Sequence, residues 1–374
     1  MNNFEDALNF VETFSFDITW VIGGSSIYKV ALEHPKLDLI YINKINKNYN
    51  CDIFIKLPAI TCLEKKSTSV MDILNNCNVQ LDYSIYKLDT MNSEYEYLKI
   101  LMKVLIQGNK RNTRNGKTLS LFGGQLKCDL QKGFPLLTTK KMFFRGIVEE
   151  LLFFLKGETD TNKLMDKNIN IWKGNTTKEF LQSRNLDYPE GYMGPMYGYQ
   201  WRFFNKPYDE KEGGIDQLKN VIEKIKNDPT NRRILMTTYN PVQDEQGVLT
   251  PCHSIVLQFY VNDGKLSTHM YQRSADVFLG LPFNIASTSL LTHIIANLTN
   301  LKLGEVIISL GDYHLYNTHI EQAKKQLSRL PKTLPTLKIN KKLEKIDDIN
   351  NLEYKDFEID NYVCYPSIKA VMMI

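Results

Sequence analysis

Asn262-Asp-Gly264 stands between two strand-like runs, residues 255–261 and 265–271, and a long apolar stretch follows at 285–299. An Asn-Asp-Gly turn accommodates the backbone of a tight antiparallel hairpin, and an apolar stretch of that length, too long for a strand, reads as a helix. Hairpin and helix set this part of the chain as a sheet with helices against it.

With 374 residues there is material for one large domain and a smaller one. The formal net charge of +4 is mild, and the basic residues are interspersed with acids, so a dedicated nucleic-acid surface is not expected. The run Ile42-Asn-Lys-Ile-Asn-Lys-Asn-Tyr-Asn50 reads as compositional bias, not as a basic patch. Six cysteines, at 51, 62, 77, 128, 252 and 364, lack the paired spacing of a metal site. No metal is expected, and a reducing, cytoplasmic setting is. The first residues lack a basic start followed by an apolar run, and no stretch has the length of a membrane span, so a soluble, untargeted chain is expected.

Along the first part, Phe4, Ala7, Leu8 and Val11 have helical spacing, and 16–22 reads as a buried strand ending at Gly23-Gly24. A helix over 25–34 and strands over 37–42 and 81–88 follow. A Gly-Gly turn opening a helix can hold a phosphate on its backbone N–H groups, or can be a plain structural turn. The polar stretch 89–93 is the expected junction, dividing the chain into 1–92 and 93–374. Tyr95, Leu98, Leu101, Met102 and Leu105 then resume helical spacing. No internal repeat is visible.

The chemistry concentrates in Leu249-Thr-Pro-Cys-His-Ser254 and in Tyr271-Gln-Arg-Ser-Ala-Asp-Val-Phe-Leu-Gly-Leu-Pro-Phe-Asn284. Cys252 beside apolar strand residues can be an inert core thiol. Its company argues for a nucleophile instead: His253 is adjacent, Arg273 can lower a thiol pKa, and Asn284 can both donate to and accept from a ring amide. Glu149 and Glu150 adjoin each other on an apolar helix, where one acid can cap or face solvent and the other can serve as a general acid or base. Arg232-Arg233 alone would be a solvated charge pair.

These stretches resemble thymidylate synthase, and the likeness runs from about Glu94 to Ile374 through several separated motifs: Gly133-Phe-Pro-Leu-Leu-Thr-Thr-Lys140, Glu149-Glu-Leu-Leu152, Gly194-Pro-Met-Tyr-Gly198, Asn231-Arg-Arg-Ile234 and Gly311-Asp-Tyr-His-Leu-Tyr316. The resemblance implies an α+β fold, a large mixed sheet flanked by helices, that dimerises through the sheet. It also implies dUMP as substrate and 5,10-methylenetetrahydrofolate as donor of both carbon and hydride. Cys252 would attack uracil C6, with Glu150 as the general acid/base and Tyr197 helping to remove the C5 proton. Arg114, Arg232, Arg233 and Arg273, with Ser274 and Gln272, would bind the nucleotide, Arg232 and Arg233 reaching across a two-fold interface of a homodimer. Asn284 would read the uracil edge, and His314 and Tyr316 the deoxyribose. Ile171, Trp172, Asp276, Leu279, Gly280, Phe283 and Ile374 would form the folate site, with Asp276 on the pterin and the C-terminal segment closing over it.

Three departures stand out. The loop Arg114-Asn-Gly-Lys-Thr118 is one residue shorter than the family's, with Arg111 as a competitor; Lys173 follows Trp172 where an aspartate is usual; and Ala275 interrupts the Ser274 to Asp276 motif.

Trp20-Val-Ile-Gly-Gly-Ser-Ser-Ile-Tyr28 is similar to the C-terminal half of dihydrofolate reductase, whose Gly-Gly turn contacts NADPH. Residues 1–92 are thus expected to be a truncated reductase remnant without reductase activity, making an NADPH role doubtful. Alternatives are a deoxycytidylate hydroxymethylase of the same fold, a working bifunctional reductase–synthase, and a non-catalytic RNA-binding protein.

Overall fold

The computed structural model describes residues 92–372 except Lys211, and before them residues 4, 6–8, 19–32, 34, 37, 39–45, 50–53, 55, 60–72 and 77–88. The chain divides into two compact units, one of 1–91 with Ser328–Leu330, the other of 92–327 with 331–374.

In the first unit the helix Ser25–Leu32 opens directly after Gly23-Gly24, where Gly23 has φ 154°. Strands β1 (Leu39–Ile45), β2 (Ile60–Asp72) and β3 (Cys77–Leu88) form an antiparallel sheet in the order β1-β3-β2. The strands expected over 37–42 and 81–88 are therefore present with shifted bounds. The strand expected over 16–22 is not: residues 19–22 are irregular, with Trp20 58% and Ile22 85% exposed, and 16–18 lie outside the described residues. Apolar residues make a strand only where a ladder receives them, and the described bridges pair none to this stretch. Of the stretch with helical spacing from Phe4 to Val11, Phe4 and residues 6–8 are helical and the others lie outside the described residues.

The second unit is built on a sheet of β4 (Asn109–Thr113), β5 (Gly116–Asp129), β6 (Leu235–Thr237), β7 (Val256–Asn262), β8 (Lys265–Asp276) and β9 (Lys302–Tyr316), in the order β4-β5-β9-β8-β7-β6. The β7–β8 hairpin turns at Asp263 (φ 48°) and Gly264 (φ 69°), as Asn-Asp-Gly requires. Between β8 and β9 the chain crosses through the helix Gly280–Thr299, so those two strands are parallel while the other pairs are antiparallel, giving the expected mixed sheet flanked by helices.

Alternation sets the faces. Leu257, Phe259, Leu266, Met270, Val306 and Ile308 are buried in the core with the helices Gly280–Thr299 and Phe144–Leu155, while Val256, Tyr260 and Tyr271 are left exposed. The helix starts at Gly280, earlier than expected, after a turn in which Asp276 Oδ1 accepts from the Phe278 and Leu279 amides, and Pro282 is tolerated in its first turn. A second small sheet pairs β10 (Thr336–Ile339) with β11 (Phe357–Asp360). No described helix is long and apolar enough to cross a membrane, and no described cluster of His, Cys, Asp or Glu could hold a metal.

Candidate active site

Cys252 sits in the irregular segment leading into β7, and Tyr197 at the start of the helix Gly198–Phe203, with a positive φ of 45° and ψ of −109°. Gly198 permits that helix to start against the Phe144–Leu155 helix, since a Cβ there would lie 2.1 Å from the Phe154 carbonyl oxygen. The close approach lets the Tyr197 ring stack on Phe154 at 4.9 Å and 14°. Its hydroxyl accepts from the Cys252 amide at 3.2 Å and lies 3.4 Å from Sγ.

Burial pushes the Cys252 thiol up, and the Tyr197 hydrogen bond followed by the Arg273 charge pull it back down. Arg273 is fixed to the nucleophile's own segment, with Nε donating to the Pro251 carbonyl and Nη2 to the Thr250 carbonyl, both at 3.1 Å, while the Ser274 amide donates to the Cys252 carbonyl at 3.2 Å. β8 extends beyond the expected residue 271 to Asp276, and this extension carries Arg273, Ser274 and Asp276 beside the thiol segment and β9.

Glu150 faces the same aromatic cluster. Burial raises its carboxyl to about 7, opposed by a hydrogen bond from Trp172 Nε1 to Oε1 at 2.9 Å. A carboxyl poised there can both give and take a proton near neutrality. Trp172 in turn meets Tyr197 edge-on at 5.8 Å. Glu149, expected to cap or face solvent, does neither: it is 5% exposed and pairs with Lys167 at 2.7 Å, the long lysine stem letting the pair form at the edge of the core.

His253 stacks on Tyr197 at 4.6 Å, its Nδ1 is 3.0 Å from Ser254 Oγ, and burial lowers it to about 4. It is therefore a neutral ring bound to the tyrosine and the serine hydroxyl. Asn284 is buried on the helix Gly280–Thr299. Gln272 is buried as well; Nε2 donates to the Ser274 carbonyl at 3.1 Å, and Oε1 has no partner, a free acceptor of the kind a bound ligand satisfies.

The residues expected to bind the nucleotide from β4, the β4–β5 turn and β9 can be placed as well. Arg111 is committed to Asp312 at 2.7 Å, whereas Arg114, in the β4–β5 turn, bonds its neighbour Asn115 at 2.9 Å. Burial raises the Tyr316 hydroxyl, with Asn115 and the Arg114 charge acting the other way, so Arg114 lies by the end of β9. His314 Nδ1 is 3.0 Å from Asp312 Oδ1, which also accepts from Ser120 Oγ at 3.0 Å. The β8–β9 register sets Asp276 against His314 and Ser274 against Asp312.

Ile171, Leu279 and Phe283 are half-buried, Trp172 is buried, and Lys173 is exposed. One oxygen of Asp276 is spent on the Phe278 and Leu279 amides in the turn before the helix, and the other is not. Arg232 and Arg233 are exposed ahead of β6, and the bonds recorded for Arg233 are to its backbone. Ile374 lies outside the described residues.

Three residues with no expected role prove buried beside these. Lys140, lowered to about 7 by burial, donates to the Phe278 carbonyl and lies 3.8 Å above the Phe278 ring. Glu94 accepts from the amides and hydroxyls of Thr138 and Thr139 at 2.5–2.8 Å. His319 is fully buried against Phe278 and Tyr316. A charged residue amid threonines or an apolar helix start was the only sequence signal, and it does not tell burial from exposure.

The family model for thymidylate synthase matches residues 95–374. The chain belongs to the thymidylate synthase family. Its curated relatives include bifunctional dihydrofolate reductase-thymidylate synthases from Plasmodium berghei (strain Anka), 40% identical over 94% of this chain and 71% of that protein, and from Paramecium tetraurelia, 39% identical over 99% and 82%. Another, from Arabidopsis thaliana, is 39% identical over 96% of this chain and 76% of its own length. Tyr197, Glu150 and Arg273, each from a different stretch of the matched region, lie beside Cys252.

Proposed function

We propose that this chain converts dUMP and 5,10-methylenetetrahydrofolate to dTMP and dihydrofolate. The observation that carries the reading is the Tyr197 hydroxyl, held between the Cys252 amide and Sγ in a buried site that Arg273 braces. Addition of the Cys252 thiolate to uracil C6 places electron density on C5, which bonds to the folate methylene. Glu150, poised near neutrality, handles the proton traffic of that step, and Tyr197 assists removal of the C5 proton. Loss of tetrahydrofolate, hydride transfer from it to the exocyclic carbon and expulsion of Cys252 complete the balance.

In this reading Arg114, Arg273, Ser274 and Gln272 bind the nucleotide with His314 and Tyr316. Asn284 reads the uracil edge, its amide donating to O4 and accepting from N3–H. Ile171, Trp172, Asp276, Leu279, Gly280 and Phe283 hold the folate. The activity belongs to 93–374, in keeping with a family match beginning at residue 95. A homodimer completes each site: the exposed Val256, Tyr260 and Tyr271 on the uncovered sheet face supply the apolar contact, and the exposed Arg232 and Arg233 are free to reach a partner's phosphate. The free thiols at Cys51, Cys128, Cys252 and Cys364 favour a reducing compartment such as the cytoplasm. Release of tritium from [5-³H]dUMP, measured with folate present and absent and against [5-³H]dCMP, tests the reading; equal turnover of the two nucleotides would overturn the substrate assignment.

A further inference from the structure

His319 follows β9 and precedes the helix Ile320–Leu327, with no exposed surface. Its Nε2 lies 2.8 Å from the carbonyl oxygen of Val371, in the C-terminal segment. A carbonyl can only accept, so Nε2 carries the proton. In a neutral ring that assignment leaves Nδ1 as a bare acceptor, and it has no hydrogen-bond partner. The atom it faces is Oδ2 of Asp276, 4.0 Å away, the one oxygen of that carboxylate not spent on the Phe278 and Leu279 amides.

Two acceptors cannot satisfy each other. In the opposite tautomer, Nδ1–H would donate to Oδ2 after about 1 Å of approach, and the carboxylate would be satisfied from within the protein. The bond to Val371 therefore does two things at once. It ties down a segment whose own residues are exposed, Val371 by 72% and Met372 by 59%, and it holds the ring in the tautomer that keeps Asp276 Oδ2 open. Further back the segment is also held by Tyr362 Oη, which donates to the Leu137 carbonyl at 2.7 Å, by the Tyr365 amide, which donates to the Thr138 carbonyl at 2.8 Å, and by Ile368 and Ala370 packed against the core.

We propose that His319 is a positioning residue that couples the C-terminal segment to folate binding. With Val371 docked, Nε2–H is fixed and Asp276 is free to accept an N–H of the folate; with Val371 away, the ring turns its proton to Asp276 and competes with the ligand. The proposal rests on the reading of Asp276 as a folate residue, but its first test does not need activity. In ¹⁵N-histidine-labelled full-length protein without substrate, His319 shows the Nε2–H tautomer, and removal of residues 371–374 moves it toward Nδ1–H. An unchanged tautomer on truncation overturns the coupling, whatever the enzyme does.

The second test is kinetic. His319→Gln places an amide N–H where Nε2 was and keeps the bond to Val371, so the folate KM stays within about twofold of wild type. His319→Asn places its amide N–H toward Asp276 and loses Val371, so the folate KM rises about tenfold, the effect of one hydrogen bond to a charged group, with the dUMP KM unchanged. Equal folate KM values for the two variants, or a parallel rise for dUMP, would reduce His319 to a packing residue. Wild-type protein inactive with dUMP would instead count against the proposed function and leave the tautomer test to decide the coupling.

Discussion

Replacing Glu150 by glutamine keeps the shape of the side chain and removes its charge, and the structure sets opposite consequences for stability and activity. The carboxyl has an ordinary value of 4.5 and is raised to about 7 in the fold, with burial as the larger cause and the Trp172 hydrogen bond opposing it. Between those values the folded protein keeps a proton that the unfolded chain has released, so stability falls as pH rises through this window. At 1.36 kcal/mol per unit, the span from 4.5 to about 7 amounts to about 3 kcal/mol lost above pH 7. Glutamine carries no such penalty. Glu150→Gln should then unfold like wild type below about pH 4.5, gain stability progressively, and by pH 8 exceed wild type by up to about 3 kcal/mol. It should also lose most synthase activity. Denaturant melts from pH 4 to 8.5 at one protein concentration, paired with initial rates, provide the assay. A stability difference that does not depend on pH would refute the argument that Glu150 is charged at a cost inside the site.

Trp172→Phe removes the donor that lowers Glu150, so the limb of the pH–rate profile due to Glu150 should move up by about one unit, the worth of one hydrogen bond to a carboxylate; an unmoved limb would assign it to another group. Arg114→Ala should raise the dUMP KM at least about tenfold, while Arg111→Ala, which cuts a partly exposed ion pair with Asp312, should change it by less than about threefold; steady-state kinetics with the reverse ranking would exchange their roles. If Arg232 and Arg233 serve a partner's site, mixing inactive Arg232→Ala/Arg233→Ala protein with inactive Cys252→Ala protein should restore about a quarter of the wild-type sites. No recovery after subunit exchange would place the arginines outside the partner's site.

Where the sequence pattern and the fold agree, local chemistry sufficed. Asn262-Asp-Gly264 dictates a hairpin, and alternation along β7 and β8 fixes which residues enter the core. The proximity of Tyr197 to Cys252, 55 residues apart, came only through the resemblance of both motifs to one family. β2 was missed because Glu64-Lys-Lys-Ser-Thr-Ser69 lacks the alternation of a half-buried strand: residues 65–69 are exposed, and the ribbon is held by its ladder to β3. The stretch 16–22 erred the other way: residues 19–22 are irregular, with Trp20 and Ile22 exposed. His319 and Lys140 gave no signal, since a histidine or lysine becomes informative only once its buried partners, Val371 and Phe278, are placed beside it. The resemblance favours Arg114 over Arg111, and the Asp312 contact commits Arg111 elsewhere.

The most direct test of the central claim is the spectrophotometric formation of dihydrofolate by purified protein given dUMP and 5,10-methylenetetrahydrofolate, run beside Cys252→Ala. The account predicts one dihydrofolate per dTMP from the wild-type chain and none from the variant. Dihydrofolate from both proteins, or from neither, would contradict the assignment of Cys252 as the nucleophile of a thymidylate synthase.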